Sequence, residues 1–285
     1  MLRKATLAAA SLALGLVFAG SAMAAGHPLH PEEPKGGWTF DGPLGTFDQA
    51  QLQRGYKVYR EVCSSCHAMG LLSFRNLGEK HGPFFDPEHP NPNDNPYVKA
   101  LAAEAQINDI DSETGDVMQR PGTSADRFPS PFPNEAAARA SNGGAMPPDL
   151  SVIAKARHGG ASSIYHLLAG YKDPPAGLNV PPGQYYNPYM NGDVSGSWTG
   201  DPEHVPPGGF IAMPPQLADD KVTFDDGTPS TVAQQGQDVA AFLAWAAEPK
   251  QTERKQTGLA VMIYLLLLSI LVYASYRRVW RNESH

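Results

Sequence analysis

The sequence is poor in the residues that would support several common readings. It has only two cysteines in 285 residues, so a disulfide framework is excluded, and no second Cys pair or paired His completes the four-ligand set of a structural zinc site. It has no excess of basic charge. The formal net charge is −7, which argues against nucleic acid, whose phosphates require clustered Lys and Arg. There is no internal repeat and no low-complexity linker to divide the chain, and β-type alternation is scarce. By contrast, 28 glycines and 27 prolines well exceed the usual combined share of roughly 12%. Long stretches must therefore run as turns and irregular loops around a compact, mainly α body.

Two apolar segments stand apart from that body. Arg3 and Lys4 precede an apolar run from Leu7 to Ala19, and Ala22 and Ala24 flank Met23 in an A-x-A pattern. This is the form of a secretory signal, residues 1–24, cleaved between Ala24 and Ala25. The second run, residues 258–276, carries no charge and is long enough to cross most of a bilayer core as one helix. Arg277, Arg278 and Arg281 follow it, but Arg254 and Lys255 precede it, so the positive-inside bias is modest. The exported N-terminus sets the orientation: residues 25–249 form one domain outside the membrane, 250–257 a linker, and 277–285 a cytoplasmic tail.

Within the exported part, a helix is expected from Thr46, where Thr46 and Gln49 have capping-box spacing, with Leu52, Tyr56, Tyr59 and Cys63 on one face. Further short helices are expected over 95–106, 134–141, 149–157 and 162–168, with Gly159 and Gly170 as stops. The Pro-rich stretches 173–189 and 201–215 lack periodicity. A short strand over 221–224 leads to the turn Asp225-Asp226-Gly227, and Ser230 opens a helix containing Val239, Phe242 and Leu243.

The two cysteines stand as Cys63-Ser64-Ser65-Cys66-His67, the spacing of covalent c-type haem attachment. Two intervening residues let both thiols face one porphyrin edge and form thioethers with its vinyl groups, while the adjacent imidazole of His67 turns under the iron. A thioredoxin-like redox pair would need a preceding strand and an α/β pattern, which are missing. The second axial ligand must come from far along the chain. For an electron carrier the expected donor is a Met sulfur, which raises the reduction potential. Met69 is too near His67 to reach the opposite face, leaving Met118, Met146, Met190 and Met213, with His158 as an alternative. Met146 and Met213 share an Ala-Met-Pro-Pro context, and spacing does not choose between them.

Several ordered blocks resemble the cytochrome c1 family, the haem subunit of the cytochrome bc1 complex. They are Arg54-Gly55-Tyr56-Lys57-Val58-Tyr59 before the haem motif, Pro147-Pro148-Asp149-Leu150-Ser151, Lys155-Ala156-Arg157-His158-Gly159-Gly160, Tyr186-Asn187-Pro188-Tyr189, Ile211-Ala212-Met213-Pro214-Pro215, and Trp245-Ala246-Ala247-Glu248-Pro249. The resemblance implies a loop-rich, class I cytochrome c-like haem domain with little sheet and one C-terminal transmembrane helix. It implies one covalent haem c, thioethers at Cys63 and Cys66, His67 and Met213 as iron ligands, Arg157 against a haem propionate, and Met146 as a packing residue. It further implies a single-pass protein of the bacterial inner membrane with its haem domain in the periplasm. Its partners would be cytochrome b and the Rieske iron–sulfur protein within ubiquinol–cytochrome c reductase, with cytochrome c as acceptor. The chain would carry electrons and perform no bond chemistry alone. A different anchored cytochrome c, feeding an oxidase or a photosynthetic centre, would share every haem feature.

This sequence departs from relatives that carry a further disulfide, since both cysteines go to haem, and the insert 192–209 is a region whose geometry does not transfer. Glu104, Asp109, Asp111, Glu113 and Asp116 cluster with few compensating cations nearby. They read either as a solvated loop or as a steering surface for a basic partner. Thr114 and Arg120 stand where a calcium loop would need Gly and Glu.

Overall fold

The computed structural model describes residues 28–30, 33, 34 and 36–282, so the expected signal segment and the last tail residues lie outside the described residues. The chain divides into two compact units, Glu32–Ala169 with Gln216–His285, and Met1–Pro31 with Gly170–Pro215. Their elements in chain order are α1 (Gln49–Val58), a π-turn (Tyr59–Cys63), α2 (Pro96–Ala103), β1 (Gln106–Ile110), β2 (Val117–Pro121), α3 (Glu135–Ser141), α4 (Ile153–Ala156), α5 (Gly160–Ala169), β3 (Tyr185–Asn187), β4 (Gly209–Ile211), α6 (Val232–Ala247) and α7 (Gln251–Val279). The chain is mainly helical with little sheet, as the sequence leads one to expect.

The larger unit is organised by the crossing of α1 and α6. A Cβ added at Gly55 would lie 2.1 Å from the Asp238 carbonyl oxygen and 2.6 Å from Phe242 Cβ, so only glycine permits this approach. Aromatic rings fill the contact, with Tyr56–Phe242 centroids 5.6 Å apart and Tyr59–Phe242 centroids 5.8 Å apart. Asp238 is fully buried in the same crossing. Arg54 Nε donates to its Oδ2 at 2.7 Å, Gln234 also donates to it, and Arg54 Nη1 reaches Asp226 at 2.7 Å. Burial holds the Asp238 carboxyl above its ordinary range against the pull of Arg54.

Boundaries shift where side chains find better hydrogen bonds. Helix α1 starts at Gln49 rather than Thr46, because Asp48 Oδ1 accepts the Gln51 N–H at 2.7 Å and supplies the cap. The expected helix 149–157 shortens to α4, since Asp149 and Ser151 spend their side chains on distant backbone groups. The segment 221–224 forms no strand; Val222 and Phe224 are simply buried in irregular backbone before the expected turn, where Gly227 has φ +74°. Helix α6 is capped by Thr231 in place of Ser230.

The largest difference is the acidic stretch. It forms the antiparallel hairpin β1–β2, Gln106 opposite Pro121, and two of its acids are paired: Arg60, from the turn after α1, with Glu104, and Arg120, across the hairpin from β2, with Asp109, each at 2.5 Å. Local sequence could not reveal Arg60, and it shows Arg120 without its pairing, so the stretch is less bare than its composition indicates.

Helix α7 begins at Gln251, ahead of the apolar run, and is long and apolar enough to cross a membrane. Its base is tied to the larger unit by Lys250 Nζ to Glu79 at 3.0 Å and Lys255 Nζ to the Phe40 carbonyl at 2.5 Å.

The smaller unit has little regular structure. Strands β3 and β4 pair antiparallel, Tyr186 opposite Phe210, within the stretches expected to be aperiodic. Leu178, Tyr186 and Val194 form its core, with Trp198, Val205 and Phe210 packed against them. Gly208 has φ +96°, and a Cβ there would meet the Asn187 carbonyl oxygen at 2.3 Å, so the turn into β4 requires glycine.

Candidate functional site

The haem motif sits where α1 ends. The helix widens into the π-turn, with Ser64 N donating to Tyr59 O at 2.8 Å, five residues back. It then tightens, Cys66 N and His67 N both donating to Cys63 O at 3.1 and 2.9 Å. Cys63, Cys66 and His67 are thereby gathered on one turn at the edge of the core, and both thiols are free and partly exposed. Burial pushes the Cys63 thiol up to about 12, against the pull of the Lys221 cation, so it remains a neutral sulfhydryl.

His67 is oriented by a residue far along the chain. Its Nδ1 lies 2.8 Å from the Pro148 carbonyl oxygen. A carbonyl only accepts, so Nδ1 carries the proton and Nε2 keeps its lone pair. Burial lowers the imidazole below its ordinary value, outweighing the upward pull of the Pro148 hydrogen bond and Asp149, and keeps it neutral, the state a metal requires. Three more hydrogen bonds run between the same two segments: Leu150 N to Ala68 O at 2.8 Å, Gly70 N to Asp149 Oδ2 at 2.8 Å, and Leu71 N to Ser151 Oγ at 3.0 Å. These residues fit covalent haem: two free thiols at the right spacing and one imidazole with a fixed tautomer and an available Nε2. Sequence reasoning missed the Pro148 contact; its only trace was the block Pro147–Ser151, whose geometric role no local spacing discloses.

The other expected site residues are distributed differently. Met213 belongs to the smaller unit, half-buried just beyond β4. Its carbonyl accepts the Tyr171 hydroxyl at 2.7 Å, and burial raises that phenol. Tyr171 also lines a groove with Lys172, Val180, Tyr185, Tyr186 and Pro215. Arg157 follows α4 as an exposed side chain with no ion pair among the described residues. Met118 and Met146 are 41% and 44% exposed, so Met146 does not pack as the resemblance implies. Met69 is fully buried within the larger core, where it serves as filling.

Comparisons with known proteins converge. The Cytochrome C1 family pattern matches residues 38–283. The chain is 45% identical over 248 residues to "Cytochrome c1 1, heme protein, mitochondrial" of Arabidopsis thaliana, covering 87% of this chain and 72% of that one. It is 45% identical over 250 residues to "Cytochrome c1, heme protein, mitochondrial" of Saccharomyces cerevisiae, covering 87% and 71%. It is 40% identical to "Cytochrome b/c1" of Bradyrhizobium diazoefficiens, spanning 98% of this chain and 40% of that longer protein.

Proposed function

The chain belongs to the cytochrome c1 family, and from that premise we propose that it is the membrane-anchored electron-transfer subunit of a cytochrome bc1 complex, taking electrons from the Rieske iron–sulfur protein and passing them to cytochrome c. One relative, from Candida albicans, is named "Cytochrome b-c1 complex catalytic subunit, mitochondrial", which supports the assignment to the complex with cytochrome b. The observation that carries the reading is the Cys63–His67 turn with His67 Nδ1 engaged by Pro148.

In this reading Cys63 and Cys66 would hold one haem c through thioethers, and His67 and Met213 would ligate its iron. Arg157 is exposed and able to pair with a propionate. The bound haem supplies one-electron exchange between ferric and ferrous iron. The chain's own residues bind and orient: the thiols attach, Pro148 fixes the imidazole, and the aromatic core of Tyr59, Phe128 and Phe242 keeps water from the inner side of the turn. The chain makes and breaks no substrate bond. Residues 1–24 export the domain to the periplasm of a bacterial inner membrane, and α7 anchors it there.

The test is a pyridine haemochrome spectrum of membranes carrying the protein, with acid–acetone extraction. Wild type should retain its haem and show the band of two saturated vinyl groups; Cys63→Ala should shift that band, and the double variant with Cys66→Ala should lose the haem to extraction. Haem extractable from wild type would refute the reading.

A further inference from the structure

The segment leaving the haem motif is laced to Pro148–Ser151 by bonds that secondary structure does not require. Asp149 supplies two of the acceptors: Oδ2 takes the Gly70 N–H at 2.8 Å and Oδ1 takes the Ser151 N–H at 2.7 Å. Ser151, 1% exposed, takes the Leu71 N–H on its hydroxyl oxygen at 3.0 Å. The Leu150 N–H to the Ala68 carbonyl lies between them. The bond from His67 to Pro148 is the first rung of this ladder, and among the described residues it is the only hydrogen bond of Pro148 to the turn. Where the Pro148 carbonyl stands relative to the imidazole therefore depends on Asp149 and Ser151.

We propose that Asp149 and Ser151 are positioning residues for the axial imidazole, setting how firmly the Pro148 carbonyl holds the His67 Nδ1–H and thereby the reduction potential of the iron. This rests on the haem reading above. An imidazole that donates strongly through Nδ1–H pushes more electron density through Nε2 and favours the ferric state. The Asp149 carboxylate, bonded close beside the motif, favours the same state by charge. Loosening the ladder and removing the charge both act in one direction, toward a higher potential.

The experiment is an optical redox titration of the full-length protein in its membrane, comparing wild type with Asp149→Asn, Asp149→Glu and Ser151→Ala, alongside thermal unfolding of each. Asp149→Asn should raise the midpoint by the equivalent of roughly a tenfold shift in the reduction equilibrium, about 59 mV for one electron. Ser151→Ala should raise it by less, and Asp149→Glu should return it toward wild type. Lower unfolding temperatures with unchanged midpoints would overturn the proposal, leaving the ladder a purely structural feature. If Asp149→Asn gives no haem-bearing protein, Ser151→Ala decides: a raised midpoint supports the proposal and an unchanged one overturns it. A wild-type protein lacking thioether-bound haem would instead defeat the functional reading, and this proposal with it.

Discussion

The two units of this protein reach a defined shape by different physical means. The larger one buries a continuous apolar cluster in which Leu52, Val58, Val239 and Phe242 are at most 1% exposed, and its defining contact is a helix crossing close enough to require Gly55. The smaller one has three buried residues at its centre and relies on hydrogen bonds between loops: Tyr186 Oη to Pro207 O at 2.7 Å, Asn179 N to Ser197 O at 2.9 Å, and Leu29 N to Pro188 O at 2.8 Å. Prolines reduce the entropy such loops lose on ordering. Burial and the Pro148 hydrogen bond thus position His67, whereas turns and proline restriction position Met213, and the two units should respond to mutation unequally.

The largest expected effect tests the crossing. Phe242→Ala should cost about 3–5 kcal/mol in denaturant unfolding of the solubilised haem protein, because an aromatic side chain leaves a cavity that rigid helices cannot close; a loss under 1 kcal/mol would refute the helix crossing as the larger unit's main support. Arg54→Leu should cost a comparable amount, about 3–5 kcal/mol, by leaving Asp238 buried without its cation. Its sign with pH follows from the raised Asp238 carboxyl. The folded state then keeps a proton that the unfolded chain has released, so the variant should regain stability as pH falls from neutral toward the ordinary carboxylate range, and lose it again as pH rises. Urea titrations at several pH values would check this, and a pH-independent deficit would contradict it.

In the smaller unit the readout changes from stability to potential. Met213→Leu should leave haem attached through Cys63 and Cys66 while lowering the midpoint by a substantial part of the roughly 0.8 V range that axial ligands span; the reduced variant should also bind carbon monoxide, which wild type should not. An unchanged midpoint would move the axial role to another residue. The smallest effect should come from Tyr186→Phe, which removes one hydrogen bond worth about 1 kcal/mol and should lower thermal stability slightly with the potential held. If it instead matched Phe242→Ala, the contrast between the two units would fail.

Much of the larger unit was legible in advance because its signals are local. Asn95, Asn134 and Thr231 sit within a residue or two of the expected helix starts, and periodic apolar spacing placed Leu52, Tyr56 and Phe242 in the core. The hairpin β1–β2 was not legible: its apolar residues Ile107, Ile110, Val117 and Met118 fall on both faces among polar ones, with no alternation to mark a strand. Nor was the shortening of 149–157, since helix propensity was overridden by hydrogen bonds to residues 70 and 71, about eighty positions away.

What the amino-acid order determined by itself is confined to short spans: the Cys63–His67 spacing, the apolar run of α7, and the caps that start most helices. Five residues suffice for the first and a single helix for the second, so no distant contact is needed to define them. Only the tertiary structure decided that Pro148 engages His67, that Arg54 neutralises a fully buried Asp238, and that Arg60 pairs with Glu104. Each depends on groups brought within about 3 Å by packing. Their separation along the chain, 81 residues for His67 and Pro148 and 184 for Arg54 and Asp238, carries no trace of that distance until the chain has closed around its core.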